Sequence, residues 1–251
     1  MEAINNMKIN INKVSDAESL AGVALDLFIR AANNAISVNG HFNVALSGGH
    51  TPERFFEMLG TSPNGKDLKW DKVQIFWVDE RCVPPDSQDS NYGLAAHTFL
   101  DKVPVPKENI HRMPGEVKDY AEAAVEYEKV IREVFSIKRG EFPKFDLIVL
   151  GMGAEGHIGS LFPTSYSLYD TDDLVSVVYF MNNKYDRITL TPPVLCAAKH
   201  LAVLVSGSEK AQILRDVFCS EPDEVKYPAH TLWPILDKVT WIVDAEAAKF
   251  I

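Results

Sequence analysis

The chain has 251 residues, 46% hydrophobic and 24% charged, which is typical of a globular protein long enough to bury a substantial core. Its 35 acidic and 25 basic residues give a formal net charge of −10 at pH 7. This balance argues against nucleic-acid binding, which depends on a basic surface. An anionic substrate would need local cations to hold it against the field of the whole molecule.

Cysteine usage and hydropathy indicate a reducing, aqueous compartment. The three cysteines, Cys82, Cys196 and Cys219, form no C-x-x-C pair, so we expect reduced thiols rather than a disulfide framework. The first residues lack a basic segment followed by an apolar core, and no apolar run approaches the roughly 18 residues that span a bilayer. We expect a cytoplasmic protein with no membrane partner.

Apolar periodicity predicts strands that alternate with helices along the whole chain. In chain order we predict a helix at Asp16–Ser37, a strand at His41–Leu46, a helix at Glu53–Leu59, a strand at Val73–Val78, helices at Asn91–Phe99 and Lys118–Phe135, strands at Phe145–Leu150, Leu174–Phe180 and Arg187–Thr191, a helix at Pro192–Ala198, a strand at His200–Val205, a helix at Lys210–Phe218 and a strand at Val239–Val243. A polar turn, Asn182–Lys184, separates two of these strands. The pattern predicts an α/β fold with a largely parallel sheet. Without a repeat or a clear linker, residues 1–251 are predicted to form one domain.

Polar, acidic or glycine residues directly follow four of the apolar strands. They are Ser47, Asp79, Gly151 and Ser206. Ligands of open parallel sheets bind beyond the carboxyl ends of the strands, so we expect these four turns to converge on one crevice.

The stretch Asp146–Pro163 begins as a buried strand and continues through three glycines that match G-x-G-x-x-G, the dinucleotide fingerprint. A dinucleotide site needs a long helix after the third glycine and an acidic residue after the next strand. Here Pro163 follows only seven residues after Gly156, and Asp172 and Asp173 precede the next apolar run. Both failures argue against a nicotinamide site.

The same turn suits a histidine-based hydrolytic site, because Glu155 and His157 stand two positions apart among glycines. A histidine can take a proton from water near neutral pH and return it to a leaving oxygen. A neighbouring carboxylate can fix the ring tautomer. The alternative is a loop histidine that only bonds backbone.

Two strand-to-helix turns could hold an anion. Ser47, Gly48, Gly49, His50 and Thr51 precede a predicted helix, where backbone N–H groups and hydroxyls can approach a phosphate. An ordinary turn also favours these residue types. Ser206–Lys210 repeats the arrangement, and a lysine at a helix start opposes the helix dipole unless it faces an anion or solvent.

Other catalytic patterns are missing from the sequence. There is no G-x-S-x-G elbow and no H-E-x-x-H or comparable short metal spacing among the seven histidines. The sequence therefore gives no support for an acyl-serine route or for a metal site.

Several motifs in this order resemble the 6-phosphogluconolactonase family, which shares its fold with the glucosamine-6-phosphate deaminases. The motifs span most of the chain, from Ser47 to Ala211, and are specific in combination. They are Ser47-Gly48-Gly49-His50-Thr51-Pro52, Asp79-Glu80-Arg81-Cys82-Val83-Pro84, Ser90-Asn91-Tyr92, Gly151–Pro163, Arg187-Ile188-Thr189-Leu190-Thr191 and Gly207–Ala211.

The resemblance implies a Rossmann-like three-layer α/β sandwich and hydrolysis of 6-phospho-D-glucono-1,5-lactone to 6-phosphogluconate in the oxidative pentose phosphate pathway, with no metal and no cofactor. It implies His157 as the base that activates water. Our mechanistic hypothesis adds Glu155 as the residue that holds the imidazole and Asp79 as the residue that positions substrate hydroxyls. The turn Ser47–Thr51, Arg187 and Lys210 would cradle the phosphate, and Arg81 would lie near the substrate. The only partner implied is the small sugar-phosphate lactone; a monomer is expected, although the sequence does not determine the oligomeric state.

Two positions depart from the family pattern, which usually has Asp-Gly-His and Ser-Gly-Gly-Ser-Thr-Pro. Here Glu155 adds one methylene before His157, and His50 replaces a serine. His50 could donate to a phosphate or point to solvent. Two rival hypotheses remain: an amino-sugar phosphate deaminase or isomerase of the same fold, and a non-catalytic sugar-phosphate-binding protein.

Overall fold

The computed structural model describes residues 9–181 and 185–251, which form ten strands and seven α-helices in these ranges. The strands are β1 (Asn10–Val14), β2 (Phe42–Leu46), β3 (Val73–Trp77), β4 (Asp79–Arg81), β5 (Ile110–His111), β6 (Leu147–Gly151), β7 (Val175–Val178), β8 (Arg187–Leu190), β9 (Leu201–Val205) and β10 (Val239–Asp244). The helices are α1 (Ala17–Asn39), α2 (His50–Thr61), α3 (Pro63–Lys66), α4 (Asn91–Thr98), α5 (Tyr120–Phe135), α6 (Pro192–Ala197) and α7 (Ala211–Cys219).

Seven strands form one sheet in the order β1-β10-β9-β6-β2-β3-β5, and every neighbouring pair is parallel. The predicted α/β class with a largely parallel sheet is confirmed. Every residue of β2 and β9 is buried. This is why both strands are continuous apolar runs, since a parallel sheet is covered on both faces.

Helices α1 and α2 cover one face of the sheet. Phe42 of β2 packs against Phe28 of α1 with ring centroids 5.3 Å apart, and Phe28 also contacts Phe55 of α2 at 5.7 Å. All three side chains are fully buried. Full burial of a phenylalanine stabilises a fold by about 1.5–3 kcal/mol, so this cluster anchors both helices.

Helices α5 and α7 cover the opposite face. The strand register places Phe76 of β3 on the sheet face opposite to Phe42. There it contacts Tyr127 and Phe135 of α5. Trp241 of β10 lies on the same face by register and meets Phe218 of α7 edge-on at 4.9 Å. The arrangement is the expected three-layer sandwich.

A second, three-stranded antiparallel sheet has the order β4-β8-β7. The predicted strands at Leu174–Phe180 and Arg187–Thr191 exist, but they belong to this small sheet rather than to the parallel one. Residues 79–81, expected at the end of the second strand, form a separate strand because β8 pairs with them. The predicted turn Asn182–Lys184 lies outside the described residues.

Apolar periodicity did not predict the edge strand β1, which is parallel to β10. Three of its five residues are polar, and all five are exposed or half-buried, so it lacks the continuous apolar signature of the central strands. Helix α2 begins at His50, three residues before the predicted start at Glu53. Its start depends on Gly49, which precedes the helix with φ of 100°, a left-handed conformation that favours glycine.

The chain path reverses direction between β2 and β6. From β2 it moves outward through β3 to β5, and from β6 it moves the other way through β9 to β10. The turns after β2 and β6 therefore flank a topological switch point, where open α/β sheets form their ligand crevice. Within residues 9–181 and 185–251, no helix has the length and apolar character needed to traverse a bilayer.

Candidate active site

A cavity of about 290 Å³ lies at the switch point, beyond the carboxyl ends of β2 and β6. Its lining contains the glycine turn, the turn before α2, part of β4 and the approach to α7. The lining residues are Ser47, Gly48, Gly49, His50, Thr51, Pro52, Asp79, Arg81, Asn91, Gly151, Met152, Gly153, Ala154, His157, Gly159, Glu209 and Lys210.

Three of the four strand-end residues expected at one crevice line this cavity, namely Ser47, Asp79 and Gly151. Ser206 itself does not line the cavity. Its hydroxyl instead donates to Asp244 at the end of β10, and Asp244 also accepts from the backbone of Gly207. The fourth turn reaches the cavity through Lys210, four residues further on.

The imidazole of His157 is held against the backbone of Gly153. A Cβ atom at Gly153 would lie 2.0 Å from Cε1 and Nδ1 of the ring, so only glycine leaves room for it. The ring of Phe162 packs on His157 with centroids 4.3 Å apart. Gly153 thus leaves room for the ring, and the His157 side chain is about one quarter exposed.

Glu155 lies next to the same ring. Its Oε2 is 3.2 Å from Nδ1 of His157, although the two atoms are not aligned for a hydrogen bond and Nδ1 has no such partner among the described residues. Contact with His157 lowers the pKa of the Glu155 carboxyl to about 2, and the charge of Lys210 contributes in the same direction. Glu155 is therefore an anion at neutral pH, within reach of Nδ1.

The turn before α2 brings polar groups to the other side of the cavity. Ser47 is buried, and its hydroxyl has no hydrogen-bond partner in the described part of the chain. The His50 side chain is fully exposed and lies 3.9 Å from Glu53. The imidazole thus points to solvent, and His50 contributes its backbone at the helix N-terminus, where the helix dipole favours an anion.

The neighbouring carboxylates of β4, Asp79 and Glu80, have different surroundings. Asp79 lines the cavity, and its Oδ2 accepts a hydrogen bond from the hydroxyl of Ser160 at 2.8 Å. Glu80 accepts from the backbone N–H groups of Arg81, Asn91 and Tyr92 and from the hydroxyl of Ser90. Burial raises the pKa of Glu80, and these four hydrogen bonds oppose that effect. Glu80 joins β4 to the start of α4.

Two arginines face each other across the β4–β8 pair. Arg81 donates to the backbone carbonyl of Asp89 at 2.7 Å and lines the cavity. Arg187 is its register partner but does not line the cavity. Its Nη1 is buried, without a hydrogen-bond partner in residues 9–181 and 185–251. Burial, and then the charge of Arg81, lowers the pKa of Arg187, but an arginine stays charged at neutral pH.

The sequence analysis assigned no role to three residues that shape this site. Ser160 orients Asp79, Phe162 packs on His157, and Asn91 occupies the space between the turn before α2 and β4. Ser160 and Phe162 stand in the Gly151–Pro163 motif, and Asn91 stands in Ser90-Asn91-Tyr92. The contacts of Ser160 with Asp79 and of Asn91 with Gly48 join segments distant in sequence, so spacing could not reveal them, whereas Phe162 stands only five residues from His157. Within the described ranges, no group of three or more His, Cys, Asp and Glu residues could hold a metal ion.

The family of glucosamine-6-phosphate isomerases and 6-phosphogluconolactonases matches residues 15–241. A 6-phosphogluconolactonase of Nostoc sp. is 37% identical over 241 residues, which cover 96% of this chain and 98% of that protein. The chain therefore belongs to this family.

Solved structures agree with this assignment. The structure of 6-phosphogluconolactonase from Trypanosoma cruzi superimposes with a TM-score of 0.85 at 29% identity and covers 97% of both chains. A monomeric glucosamine-6-phosphate deaminase superimposes with a TM-score of 0.81 at 19% identity, which shows the shared fold alone. The expected fold of the deaminase type is confirmed.

Proposed function

We propose that the protein hydrolyses 6-phospho-D-glucono-1,5-lactone to 6-phosphogluconate in the pentose phosphate pathway. The observation that carries the proposal is one cavity holding both His157 with its carboxylate neighbour and a helix N-terminus with Lys210. Membership of the family, and relatives named 6-phosphogluconolactonase along nearly the whole chain, favour the same substrate.

The phosphate would dock at the turn Ser47–Thr51, where backbone N–H groups and the α2 dipole favour an anion. Lys210 supplies a cation at the cavity wall. Arg187, which does not line the cavity, adds positive charge from its position next to Arg81. These cations attract the phosphate locally and so offset the repulsion from the net charge of −10, since local fields decide binding at short range.

His157 would act as the general base. With Nδ1 next to Glu155, Nε2 is the nitrogen that takes the proton from water as the water oxygen bonds to the lactone carbonyl carbon. The carbonyl electron pair moves to oxygen, where Arg81 or backbone N–H groups stabilise the charge. When the intermediate collapses, the bond to the ring oxygen breaks and His157 returns the proton to that oxygen. The acid product then ionises.

Glu155 and Asp79 would assist without forming bonds to the substrate carbon. Glu155 holds the imidazole in the tautomer with Nδ1 protonated and stabilises the imidazolium. Asp79, fixed by Ser160, accepts hydrogen bonds from substrate hydroxyls. No step requires a metal or a cofactor.

The decisive assay follows disappearance of freshly prepared 6-phospho-glucono-1,5-lactone above its spontaneous hydrolysis, with ammonia release from glucosamine 6-phosphate measured in parallel. We expect lactone turnover and no ammonia. Ammonia release without accelerated lactone hydrolysis would establish the deaminase alternative. Ligand-induced thermal stabilisation without either activity would establish a binding protein.

Replacing the base tests the mechanism. We expect His157→Ala to lower kcat by roughly 10²–10⁴-fold, the range for loss of a general base. The change should leave the far-ultraviolet circular dichroism spectrum intact, since His157 is partly exposed in a turn. An unchanged kcat in the folded variant contradicts the assignment.

A further inference from the structure

Asn91 lies between the turn before α2 and strand β4, and both of these segments line the cavity. It is the first residue of α4, is 2% exposed, and its backbone N–H donates to Oε1 of Glu80 at 2.7 Å. Its side-chain Nδ2 donates to the backbone carbonyl of Asp79 at 2.8 Å. Asn91 is therefore hydrogen-bonded to β4 through both its backbone and its side chain.

The other edge of the carboxamide fills space left by Gly48. A Cβ atom added at Gly48 would lie 2.0 Å from Oδ1, 2.4 Å from Cγ and 2.8 Å from Cβ of Asn91. The backbone of Gly48 is outside the left-handed region, so glycine is needed there for space rather than for conformation. The turn before α2 is packed directly on Asn91.

The carboxamide oxygen of Asn91, on the edge that faces Gly48, is not hydrogen-bonded within the described residues. Because Nδ2 is bonded to Asp79, Oδ1 must face Gly48, and this buried oxygen has no hydrogen-bond donor in the described parts of the chain. Leaving a buried acceptor unpaired is unfavourable. An apolar side chain would avoid that cost, but it could not donate to Asp79 and so could not connect the two segments.

The two segments differ in how firmly they are held. Asp79 is paired with Thr189 in the β4–β8 ladder and bonded to Ser160, so it keeps its place without Asn91. The three atoms nearest to the position of a Cβ at Gly48 all belong to Asn91. Loss of the carboxamide should therefore move the turn rather than Asp79.

We propose that Asn91 is a positioning residue that sets the distance between the turn Gly48–Thr51 and Asp79, and thereby places the substrate phosphate relative to the reacting lactone. This inference rests on the proposed function, because it takes the turn as the phosphate site. Asn91 makes no contact with the reacting atoms in this role; it acts through Gly48 and Asp79.

Kinetics with two lactones separate positioning from general damage. For Asn91→Ala we expect KM for the phosphorylated lactone to rise about tenfold, with kcat reduced less than threefold. For unphosphorylated glucono-1,5-lactone, kcat/KM should change less than twofold, since that substrate does not use the turn. Equal losses with both lactones would overturn the proposal. His97→Ala, at an exposed position of the same helix, should match the wild type.

Binding tests the inference independently of turnover. Titration calorimetry with 6-phosphogluconate should show about tenfold weaker binding to Asn91→Ala than to the wild type, and binding of gluconate should be unchanged. If the wild type binds 6-phosphogluconate but does not hydrolyse the lactone, the proposed function fails while the positioning role is still tested. Equal 6-phosphogluconate affinities of wild type and variant overturn the role.

A double-mutant cycle tests the contact itself. Gly48→Ala should displace the carboxamide and weaken 6-phosphogluconate binding even though Asn91 is present. Asn91→Gly removes the Cβ atom that would still crowd an alanine at 48, so the double variant should bind no more weakly than Asn91→Gly alone. Losses that multiply in the double variant would show independent sites and refute the interlock. Gly48→Ala leaves α4 unchanged, so it also serves if substitutions at Asn91 reduce folding.

Discussion

At the scale of single residues, two glycines shape the site through the Cβ atoms that they lack. Gly153 accommodates the His157 ring and Gly48 accommodates the Asn91 carboxamide, each through a missing Cβ. Both glycines have backbone angles that other residues can adopt, so the space they leave is their contribution. The turn after β6 is thus shaped by close approach, which explains why its glycines can imitate a dinucleotide fingerprint.

Gly153→Ala should disable the site without unfolding the protein. The added methyl group would lie 2.0 Å from the imidazole, so the ring must move, and we expect kcat to fall at least tenfold because misplacement of a base by about 1 Å is costly. Steady-state kinetics and thermal denaturation measure the two effects.

The matched control is Gly22→Ala in α1, where no atom lies within 4 Å of the added methyl group. It should keep wild-type kinetics and raise the free energy of unfolding by about 0.5–1 kcal/mol, because alanine is the better helix former. Wild-type kcat in Gly153→Ala would contradict the packing of the ring.

The pH dependence of the Glu155 contribution follows from its lowered pKa. The pKa of about 2 in the folded protein lies below the ordinary 4.5. Any contribution of the Glu155 carboxylate to the free energy of unfolding is therefore complete above about pH 4.5 and is lost as the pH falls toward 2. We expect Glu155→Gln to lower kcat by roughly tenfold or more through loss of the orienting charge. Steady-state kinetics of wild type and variant at pH 8 measure this loss.

Equal kcat values in wild type and Glu155→Gln would contradict the orienting role of Glu155. Glu155→Asp is the companion variant, because it keeps the charge and shortens the reach by one methylene. Retention of most activity in Glu155→Asp would assign the effect to charge rather than to side-chain length.

At the scale of elements, the small antiparallel sheet carries the groups that complete the site. Strand β4 presents Asp79 and Arg81 to the cavity, and β8 brings Arg187 next to them. The Glu80 carboxylate fastens β4 to the start of α4, which also carries Asn91. One buried carboxylate therefore links the strand that lines the cavity to the helix that carries Asn91.

Glu80→Gln tests this connection. An amide presents only one acceptor oxygen, so at least one of the four donors around Glu80 loses its partner, and we expect a loss of about 1–3 kcal/mol in the free energy of unfolding. Urea denaturation measures it. Glu126→Gln, at an exposed position of α5, is the control and should change stability by no more than about 0.5 kcal/mol. Equal stabilities of the two variants would contradict the role of Glu80.

At the scale of the whole molecule, one seven-stranded sheet connects the two ends of the chain. Strand β1 near the start pairs with β10 near the end, and the core extends across both faces. The prediction of one domain over residues 1–251 leads to a single cooperative unfolding transition. Trp77 on β3 and Trp241 on β10 are both buried and lie on separate strands of the sheet.

Urea unfolding followed by tryptophan fluorescence and by far-ultraviolet circular dichroism should therefore give coincident curves. With 6-phosphogluconate at 100 times its Kd, the free energy of unfolding should rise by about 2.7 kcal/mol. Separate transitions from the two probes would show that the chain divides into independently folding parts.

The sequence by itself determined the α/β class, the central strands and the turns that meet at the cavity. Those features have local causes, namely continuous apolar runs in a doubly covered sheet and glycine-rich turns at strand ends. It did not predict β1, whose half-exposed residues lack that signature, or the separate sheet that holds β4. Only the tertiary structure decided that Ser206 bonds Asp244, that Arg187 lies next to Arg81, and that Asn91 fills the space at Gly48. Each of these contacts joins residues distant in the chain, and such contacts are fixed by packing and register rather than by spacing along the sequence.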